Sequence, residues 1–232
     1  MAEFESLFSQ YDRLVLFDTE TTGLDYANDE IIEFAAVVVE QKDGKAVIVR
    51  EYDELISLSP GKVIPEKIVD LTGITNEDVQ QDGIDKAVVC ADIDALFNGS
   101  STKTLLLAYN AHFDLCFLYY LLAKHGNPAI LKGKDKLDLL TVYKDRRSYP
   151  HKLCNAIDAY GLSGEVVNSH RAVDDVIATV AVMKAMEAEK ADLERYINLF
   201  GFNPKYGISG APIRSVTYRE QPYNTVRPLY ET

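Results

Sequence analysis

Two acidic residues that follow a short apolar run are the first residues in the sequence whose types and spacing could do chemistry. A buried strand is predicted over Arg13–Phe17, and Asp18 and Glu20 come directly after it, two positions apart. If the strand continues to Glu20, both carboxylates project from the same face. Carboxylates held this close repel one another unless a cation or a proton lies between them, and hard divalent ions such as Mg²⁺ prefer such oxygens. A surface turn would explain the same residues without any chemistry.

A further acidic residue, Asp114, stands where a predicted central strand, Thr104–Tyr109, gives way to an apolar helix over about residues 112–124. Open α/β sheets place ligands in the loops at their strand ends, so Asn110 and Asp114 are candidate site residues. The helix macrodipole alone also explains an acidic residue in a first helical turn. This segment by itself leaves both interpretations open.

The third segment begins a long helix that is predicted from Ser169, as its N-cap, to about Lys190. His170 and Asp175 are five positions apart, whereas neighbours on one helical face are three or four apart. If both reach one site, His170 must lie in the cap region above the helix end. Imidazole changes charge near neutral pH, so this is a usable position for a general base. Asp174 and Asp175 point about 100° apart on a helix, so one of them at most faces the site without distortion.

The order of the predicted elements indicates a mixed sheet with helices packed on it. Strands are expected at Ile31–Glu40 and Ala46–Leu58, on either side of an Asp43-Gly44 hairpin signal, and alternating strands and helices follow. The later elements are a short helix at residues 65–70, a weaker helix at 84–97, a strand at Lys136–Leu140 and a helix at Lys152–Tyr160.

The charge and composition limit the classes of partner. A net charge of −12 argues against a wide, tight surface for duplex nucleic acid, although cations bound at carboxylates would reverse the charge locally. The sequence has neither a signal-peptide pattern nor an apolar run of membrane-spanning length, so a cytoplasmic protein without a membrane partner is expected. Cys90, Cys116 and Cys154 lack CxxC spacing and are interpreted as reduced core residues.

The last 32 residues differ in character from the rest. Residues 1–200 are predicted to form one domain, and residues 201–232 a Pro/Tyr-rich C-terminal extension. The extension holds four of the eight prolines and four of the fourteen tyrosines. We expect it to run extended along the body or to dock on a partner.

Together the three segments resemble the motifs of the DEDDh family of DnaQ-like 3′→5′ exonucleases, which includes the epsilon subunit of bacterial DNA polymerase III. The matching residues are Asp18-x-Glu20 in the first motif, Asp114 in the second and His170-x-Ala172-x-x-Asp175 in the third. Supporting similarity is found in Thr21-Thr22-Gly23-Leu24 and in Leu71-Thr72-Gly73-Ile74-Thr75. The resemblance covers about residues 11–190.

The resemblance implies an RNase H-like α/β fold, a five-stranded mixed sheet flanked by helices, with the motifs converging at one edge. It implies two ions, Mg²⁺ or Mn²⁺, bound by Asp18, Glu20, Asp114 and Asp175, with His170 as the base that activates water. The implied reaction releases nucleoside 5′-monophosphates from the 3′ end of single-stranded DNA. The terminal nucleotide is expected to contact Thr21, Thr22, Gly23, Leu24, Asn110 and Phe113. Asp138 and Glu33 are candidates for a supporting role.

Three alternatives stay open on the sequence. The first is an RNA-directed relative, such as an oligoribonuclease or RNase T-like enzyme, because the same five residues serve both substrates. The second is a subunit that acts while bound to a DNA polymerase, with the Pro/Tyr-rich extension as its docking element. The third is a non-enzymatic module that kept the fold, against which the complete set of five residues argues.

Overall fold

A five-stranded mixed sheet forms the centre of the computed structural model, which describes residues 2–99, 103–223 and 227–232. Its strands are β1 (Arg13–Thr21), β2 (Ile31–Lys42), β3 (Lys45–Leu55), β4 (Thr104–Ala108) and β5 (Asp135–Asp138). They lie in the order β3-β2-β1-β4-β5. The β1–β2 and β2–β3 pairs are antiparallel, and the β1–β4 and β4–β5 pairs are parallel. The predicted fold class is confirmed.

Helices cover both faces of this sheet. The α-helices of the described residues are α1 (Glu5–Phe8), α2 (Glu66–Thr72), α3 (Asn76–Gln81), α4 (Lys86–Asn98), α5 (Ala111–His125), α6 (Leu139–Arg146), α7 (Leu153–Ala159) and α8 (Ala172–Glu189). Leu14 and Leu16 of β1 pack in the core that contains α8, whereas Val15 and Phe17 pack in the core of α4 and α5. By the same alternation, Asp18 and Glu20 continue the face that α8 covers.

The hairpin between β2 and β3 follows from its turn residues. Asp43 and Gly44 have φ values of 51° and 77°, the left-handed pair that a two-residue hairpin turn requires. The two short helices α2 and α3, which follow β3, are joined by Gly73 at φ 73°. Pro65 lies at the N-cap of α2, so the helix predicted at residues 65–70 begins one residue later, at Glu66.

Several boundaries differ from the sequence-based expectations. The predicted strand Lys136–Leu140 ends at Asp138, because the carboxylate of Asp138 caps a helix, α6, that starts at Leu139. The long helix α8 begins at Ala172, and the expectation of Ser169 as its N-cap is wrong. The carboxylate of Glu33, on β2, accepts the backbone N–H of Ala172 and supplies the cap from outside the helix.

The C-terminal extension contains regular structure. A parallel pair of strands, β6 (Leu199–Phe202) and β7 (Thr217–Glu220), lies beside β5, and β6 spans the predicted domain boundary at residue 200. Gln221 is 1% exposed, and its side-chain amide donates to the carbonyl of Thr141 on α6 at 2.9 Å. The described part of the extension therefore packs on the body of the protein.

Two cysteines lie in the interior and one at the surface. Cys90 and Cys116 are buried, as expected, and Cys154 is exposed, so its assignment to the core is wrong. Among residues 2–99, 103–223 and 227–232, no helix has both the length and the apolar character needed to cross a membrane.

Candidate active site

Within the described chain, the end of β1 has no paired strand on one side, because its parallel neighbour β4 is shorter. Leu16 pairs with Leu107, and β4 ends one residue later, whereas β1 continues to Thr21. The first turn of α5 takes the place of the missing strand. The backbone N–H and the hydroxyl of Thr19 both donate to Asp114 Oδ1, at 3.0 and 2.8 Å. Asp114, which is 2% exposed, is thereby fixed beside the strand that carries Asp18 and Glu20.

The start of α5 is held by Asp138. One carboxylate oxygen of Asp138 accepts the backbone N–H groups of Asn110 and Ala111, at 3.0 and 3.1 Å. The other oxygen accepts the N–H and the hydroxyl of Thr141, at 3.1 and 2.6 Å, and so caps α6. The supporting role that the sequence suggested for Asp138 is therefore to fix two helix starts. Asp114 lies one turn into the first of these helices.

The start of α8 is tied to β2 by Glu33. This residue is fully buried, lies opposite Glu20 in the β1–β2 pair, and accepts Nε of Arg171 and the N–H of Ala172, each at 2.7 Å. His170 directly precedes this anchor, is exposed, and has a left-handed φ of 58°. Non-glycine residues adopt that conformation mainly where their surroundings hold them in it. His170 thus lies above the helix end, where the spacing of the motif placed it.

Three of the predicted site residues form a compact group. Glu20, His170 and Asp175 each offer a ligand atom, and these atoms all lie within 4.8 Å of one another. Asp175 is 8% exposed and accepts the side-chain amide of Asn168 at 2.6 Å. Asp174, by contrast, accepts the hydroxyl of Ser169 and lies outside the group.

Asp18 and Asp114 lie outside that group of three but are electrostatically coupled to it. Among the carboxylates, Asp114 contributes most to the raised pKa of Asp18, and Asp175 contributes most to the raised pKa of Glu20. Asp18 and Glu20 lie on β1, Asp114 is hydrogen-bonded to Thr19 between them, and Asp175 lies beside Glu20. Thr19 and Asn168, which orient two of them, carry no signal of their own in the sequence.

The electrostatics of these acids suit a bound cation. Burial, followed by repulsion from Asp175 and Glu33, raises the pKa of Glu20 to about 8. Burial also raises the pKa of Asp114 to about 7, against the opposing hydrogen bonds from Thr19, and raises that of Asp18 well above its ordinary value. In the part of the chain that the structure describes, no hydrogen bond contributes to the pKa shifts of Asp18 and Glu20, which arise chiefly from burial and from repulsion between carboxylates. Such a donor set of carboxylate oxygens fits a hard divalent ion.

A consequence is that stability should depend on pH and metal together. The folded-state pKa of Glu20, about 8, lies above its ordinary value of 4.5, so folded protein binds more protons than unfolded chain between these values. Without metal, this contribution to stability is complete below about pH 4.5 and is lost as pH rises toward 8. We expect the Tm in EDTA to fall over that range. Magnesium at about 100 times its Kd should add roughly 2.7 kcal/mol, or about 5–10 °C.

Differential scanning fluorimetry from pH 5 to 8, with EDTA or Mg²⁺, measures both effects. The gain from Mg²⁺ should be larger at pH 8 than at pH 5, since protons compete for the same oxygens. A gain that is independent of pH, or absent, would contradict a cation site at these carboxylates.

The expected substrate-binding residues surround this edge. Thr21 and Thr22 are buried, and the hydroxyl of Thr21 donates to the carbonyl of Gly23 at 2.6 Å. A Cβ at Gly23 would lie 2.3 Å from a carboxylate oxygen of Asp29, so a side chain there would displace the carboxylate that accepts the N–H of Asp25 and the hydroxyl of Thr22. Leu24 beyond it is 82% exposed.

On the α5 side of the site, the side chain of Asn110 is exposed at φ 73°. Phe113 is half-buried, with its ring centroid 4.9 Å from that of Phe117. Leu24 and Phe113 thus offer apolar surface near the carboxylates.

Comparisons with known proteins agree with this arrangement. The model of the exonuclease family RNase_T matches residues 15–183. The DNA polymerase III PolC-type protein of Lacticaseibacillus paracasei is 33% identical over 202 residues, 85% of this chain and 13% of that protein. The PolC-type protein of Bacillus subtilis is 33% identical over 212 residues, 88% of this chain and 13% of that protein. This chain therefore spans a small part of these curated relatives.

Solved structures share the fold. Escherichia coli exonuclease I in complex with a dT13 oligonucleotide superimposes with a TM-score of 0.69 and 24% identity, over 80% of this chain and 43% of that one. Another neighbour is the zinc-bound form of the same enzyme in complex with single-stranded DNA, with a TM-score of 0.70 and 24% identity, over 80% of this chain and 42% of that one. Exonucleases of this kind depend on metal. The family match over residues 15–183, together with the five motif positions, shows that this chain belongs to the exonuclease family, as a DnaQ-like DEDDh member.

Proposed function

We propose that this chain is a two-metal-ion 3′→5′ exonuclease that shortens single-stranded DNA and releases nucleoside 5′-monophosphates. The observation that carries the proposal is the convergence of Glu20, His170 and Asp175 to within 4.8 Å, next to Asp18 on the same strand and the buried Asp114. Membership of the exonuclease family supplies the reaction class.

The proposed cofactors are two Mg²⁺ or Mn²⁺ ions. Asp18, Glu20, Asp114 and Asp175 would hold them, since carboxylate oxygens suit hard divalent ions. When bound, such ions stabilise the attacking and leaving oxygens of a phosphodiester. Thr19 orients Asp114 and Asn168 orients Asp175, so two of the four carboxylates are fixed before substrate arrives.

His170 is the proposed general base. Its ring lies next to Glu20 and Asp175 at the exposed start of α8, where an attacking water can approach. The proton of that water would pass to a ring nitrogen of His170. Glu33 fixes the helix start that places this side chain, and so acts as a positioning residue.

The proposed substrate follows from the shape and charge of the site. Leu24 and Phe113 would contact the terminal base, since stacking and wedging on apolar side chains tolerate any base. The backbone of Thr21–Gly23 and the side chain of Asn110 would hold its sugar and phosphate. With a net charge of −12, the chain suits an enzyme that engages a few nucleotides at a strand end.

The comparisons support a DNA substrate and a polymerase context as parts of this proposal. The curated relatives are PolC-type DNA polymerase III proteins, and two of the exonuclease I structures are complexes with a dT13 and a dA16 oligonucleotide. We infer association with a DNA polymerase as a second aspect of the function. An RNA-directed exonuclease remains the alternative that the assay below separates.

Purified protein with single-stranded DNA or RNA labelled at either end tests this function. We expect Mg²⁺- or Mn²⁺-dependent loss of a 3′ label as nucleoside 5′-monophosphate, no activity in EDTA, and faster digestion of DNA than RNA. His170→Ala should keep the direction of digestion and lower its rate by roughly 10²- to 10⁴-fold. Early loss of a 5′ label, or digestion that survives EDTA, would refute the proposal.

A further inference from the structure

A polar cavity lies between the C-terminal extension and the body, next to the candidate active site. Its volume is about 170 Å³. The body contributes Asn110, His112 and Lys144 to its lining, and the extension contributes Phe202, Asn203 and Tyr218. Asn110 precedes Asp114 by four residues, which is roughly 6 Å along a helix axis. One residue that lines the cavity is therefore about one helical turn from Asp114.

The wall formed by the extension is fixed to the two helices that border the site. The ring of His112 makes hydrogen bonds to the hydroxyl of Tyr218 at 2.7 Å and to the carbonyl of Ser209 at 2.6 Å. On the other side, the N–H of Gly201 donates to the hydroxyl of Thr141 on α6 at 2.9 Å. Both contacts are made to the helix starts that Asp138 caps. The walls of the cavity are therefore fixed by the fold.

Lys144 is the cationic group that lines this cavity, and it differs from the arginines that follow it. Arg146 forms a salt bridge with Asp192 at 2.6 Å, and Arg147 forms one with Glu189 at 2.8 Å. Among residues 2–99, 103–223 and 227–232, the ammonium group of Lys144 has no salt bridge.

The acid nearest to Lys144 cannot serve as its partner. Asp138 also lines the cavity, but its oxygens already accept donors from the starts of α5 and α6. The pKa of Lys144 is lowered by burial, and Asp138 opposes this only in part. A half-enclosed cation that lacks a partner, in a protein of net charge −12, is suited to an anionic ligand.

We propose that this cavity binds a backbone phosphate of the substrate strand, the first or second on the 5′ side of the scissile bond. Lys144 holds the phosphate, and the side-chain amide of Asn203 offers a donor beside it. The aromatic wall that contains Phe202 and Tyr218 faces the adjoining nucleotide. This inference rests on the proposed function and assigns a role to the extension: it completes a subsite for the strand behind the terminal nucleotide.

The matched variants Lys144→Gln and Lys132→Gln test this subsite. Both remove one positive charge, but Lys132 is exposed beyond the far end of α5. The substrates are a thymidine 12-mer and the p-nitrophenyl ester of thymidine 5′-monophosphate, which has no nucleotide on the 5′ side. For Lys144→Gln we expect the KM for the 12-mer to rise roughly tenfold, as for a lost charge-assisted hydrogen bond, with less than a twofold change on the ester. Lys132→Gln should match wild type on both.

The salt dependence supplies an independent readout. Each phosphate contact contributes about 0.7 to the slope of log affinity against log salt for single strands, so Lys144→Gln should lower the slope by about 0.7. Lys144→Arg, which keeps the charge, should keep the slope. A single neutral methylphosphonate should weaken binding to the wild-type protein when it replaces the phosphate at one internal position of the oligonucleotide. The same replacement should leave binding to the Lys144→Gln variant unchanged.

The outcomes separate this inference from the function on which it rests. If wild type hydrolyses neither substrate, the proposed function fails. If wild type hydrolyses both and Lys144→Gln behaves as wild type on the 12-mer, the subsite is refuted and the nuclease stands. An equal loss on the 12-mer and the ester would also refute the subsite, because the effect would then lie at the catalytic centre or in the fold.

Discussion

Glu20→Gln is expected to abolish turnover and, at the same time, to stabilise the metal-free protein. A pKa of about 8 against an ordinary 4.5 means that folded protein at pH 7 carries a penalty at Glu20 that the unfolded chain lacks. At about 1.36 kcal/mol per pKa unit, the penalty at pH 7 is about 3 kcal/mol. We therefore expect Glu20→Gln to raise the free energy of unfolding of the metal-free protein by about 1–3 kcal/mol. Turnover should fall at least roughly 10³-fold, since metal ligation accounts for several kcal/mol of the barrier.

The neighbours Asp174 and Asp175 give this prediction a matched control. Asp175→Asn should behave like Glu20→Gln, because Asp175 is buried in the group with Glu20 and His170. Asp174→Asn removes the same charge one residue earlier, where the carboxylate accepts only the hydroxyl of Ser169 among the described side chains. We expect that variant to retain activity within a few-fold. Urea denaturation in EDTA and the labelled-DNA assay measure both properties, and a large loss of activity in Asp174→Asn would show that the site is misassigned.

Arg171→Met is expected to destabilise the protein more than Glu33→Gln does, although each breaks the same ion pair. Glu33 is fully buried, whereas the side chain of Arg171 is 41% exposed. Removing the arginine leaves a carboxylate charge in the interior, and removing one partner of a buried pair typically costs about 3–5 kcal/mol. Because half-exposure weakens this pair, we expect Arg171→Met to lower the free energy of unfolding by about 2–4 kcal/mol. Glu33→Gln leaves an arginine whose side chain can turn to water, so we expect it to lower the free energy of unfolding by about 1–2 kcal/mol.

The start of α8 that this ion pair holds also places His170. Both variants should also lower kcat at least tenfold, since misplacement of a catalytic group by about 1 Å can cost 10²-fold and His170 directly precedes Arg171. Equal destabilisation of the two variants would contradict the asymmetry.

The parts of the site that were predictable from the sequence depend on local periodicity. Asp18 and Glu20 share a face because a strand alternates. The turn of about 100° between Asp174 and Asp175 allowed only one of them to face the site, and the family resemblance selected Asp175, which lies beside Glu20. The position of His170 above the helix end followed from a spacing of five.

The parts that were missed depend on residues distant in sequence. The cap of α8 comes from Glu33, 139 residues before Ala172, so the local preference for Ser169 was misleading. Thr19 orients Asp114 across 95 residues, and only the fold shows that β4 stops short and leaves that place to α5. The β6–β7 pair lies in a segment whose prolines favour irregular structure, and its pairing depends on the edge of the body.

The shared cap at Asp138 also bears on how the molecule folds and opens. Its carboxylate receives donors from the starts of both α5 and α6, which belong to two successive strand–helix units. If one unit formed without the other, the nearly buried carboxylate of Asp138 would lose some of its hydrogen-bond donors. An unsatisfied polar group is costly in a medium of low polarity. The two units are thus coupled into one cooperative block, and local unfolding at either helix start involves both.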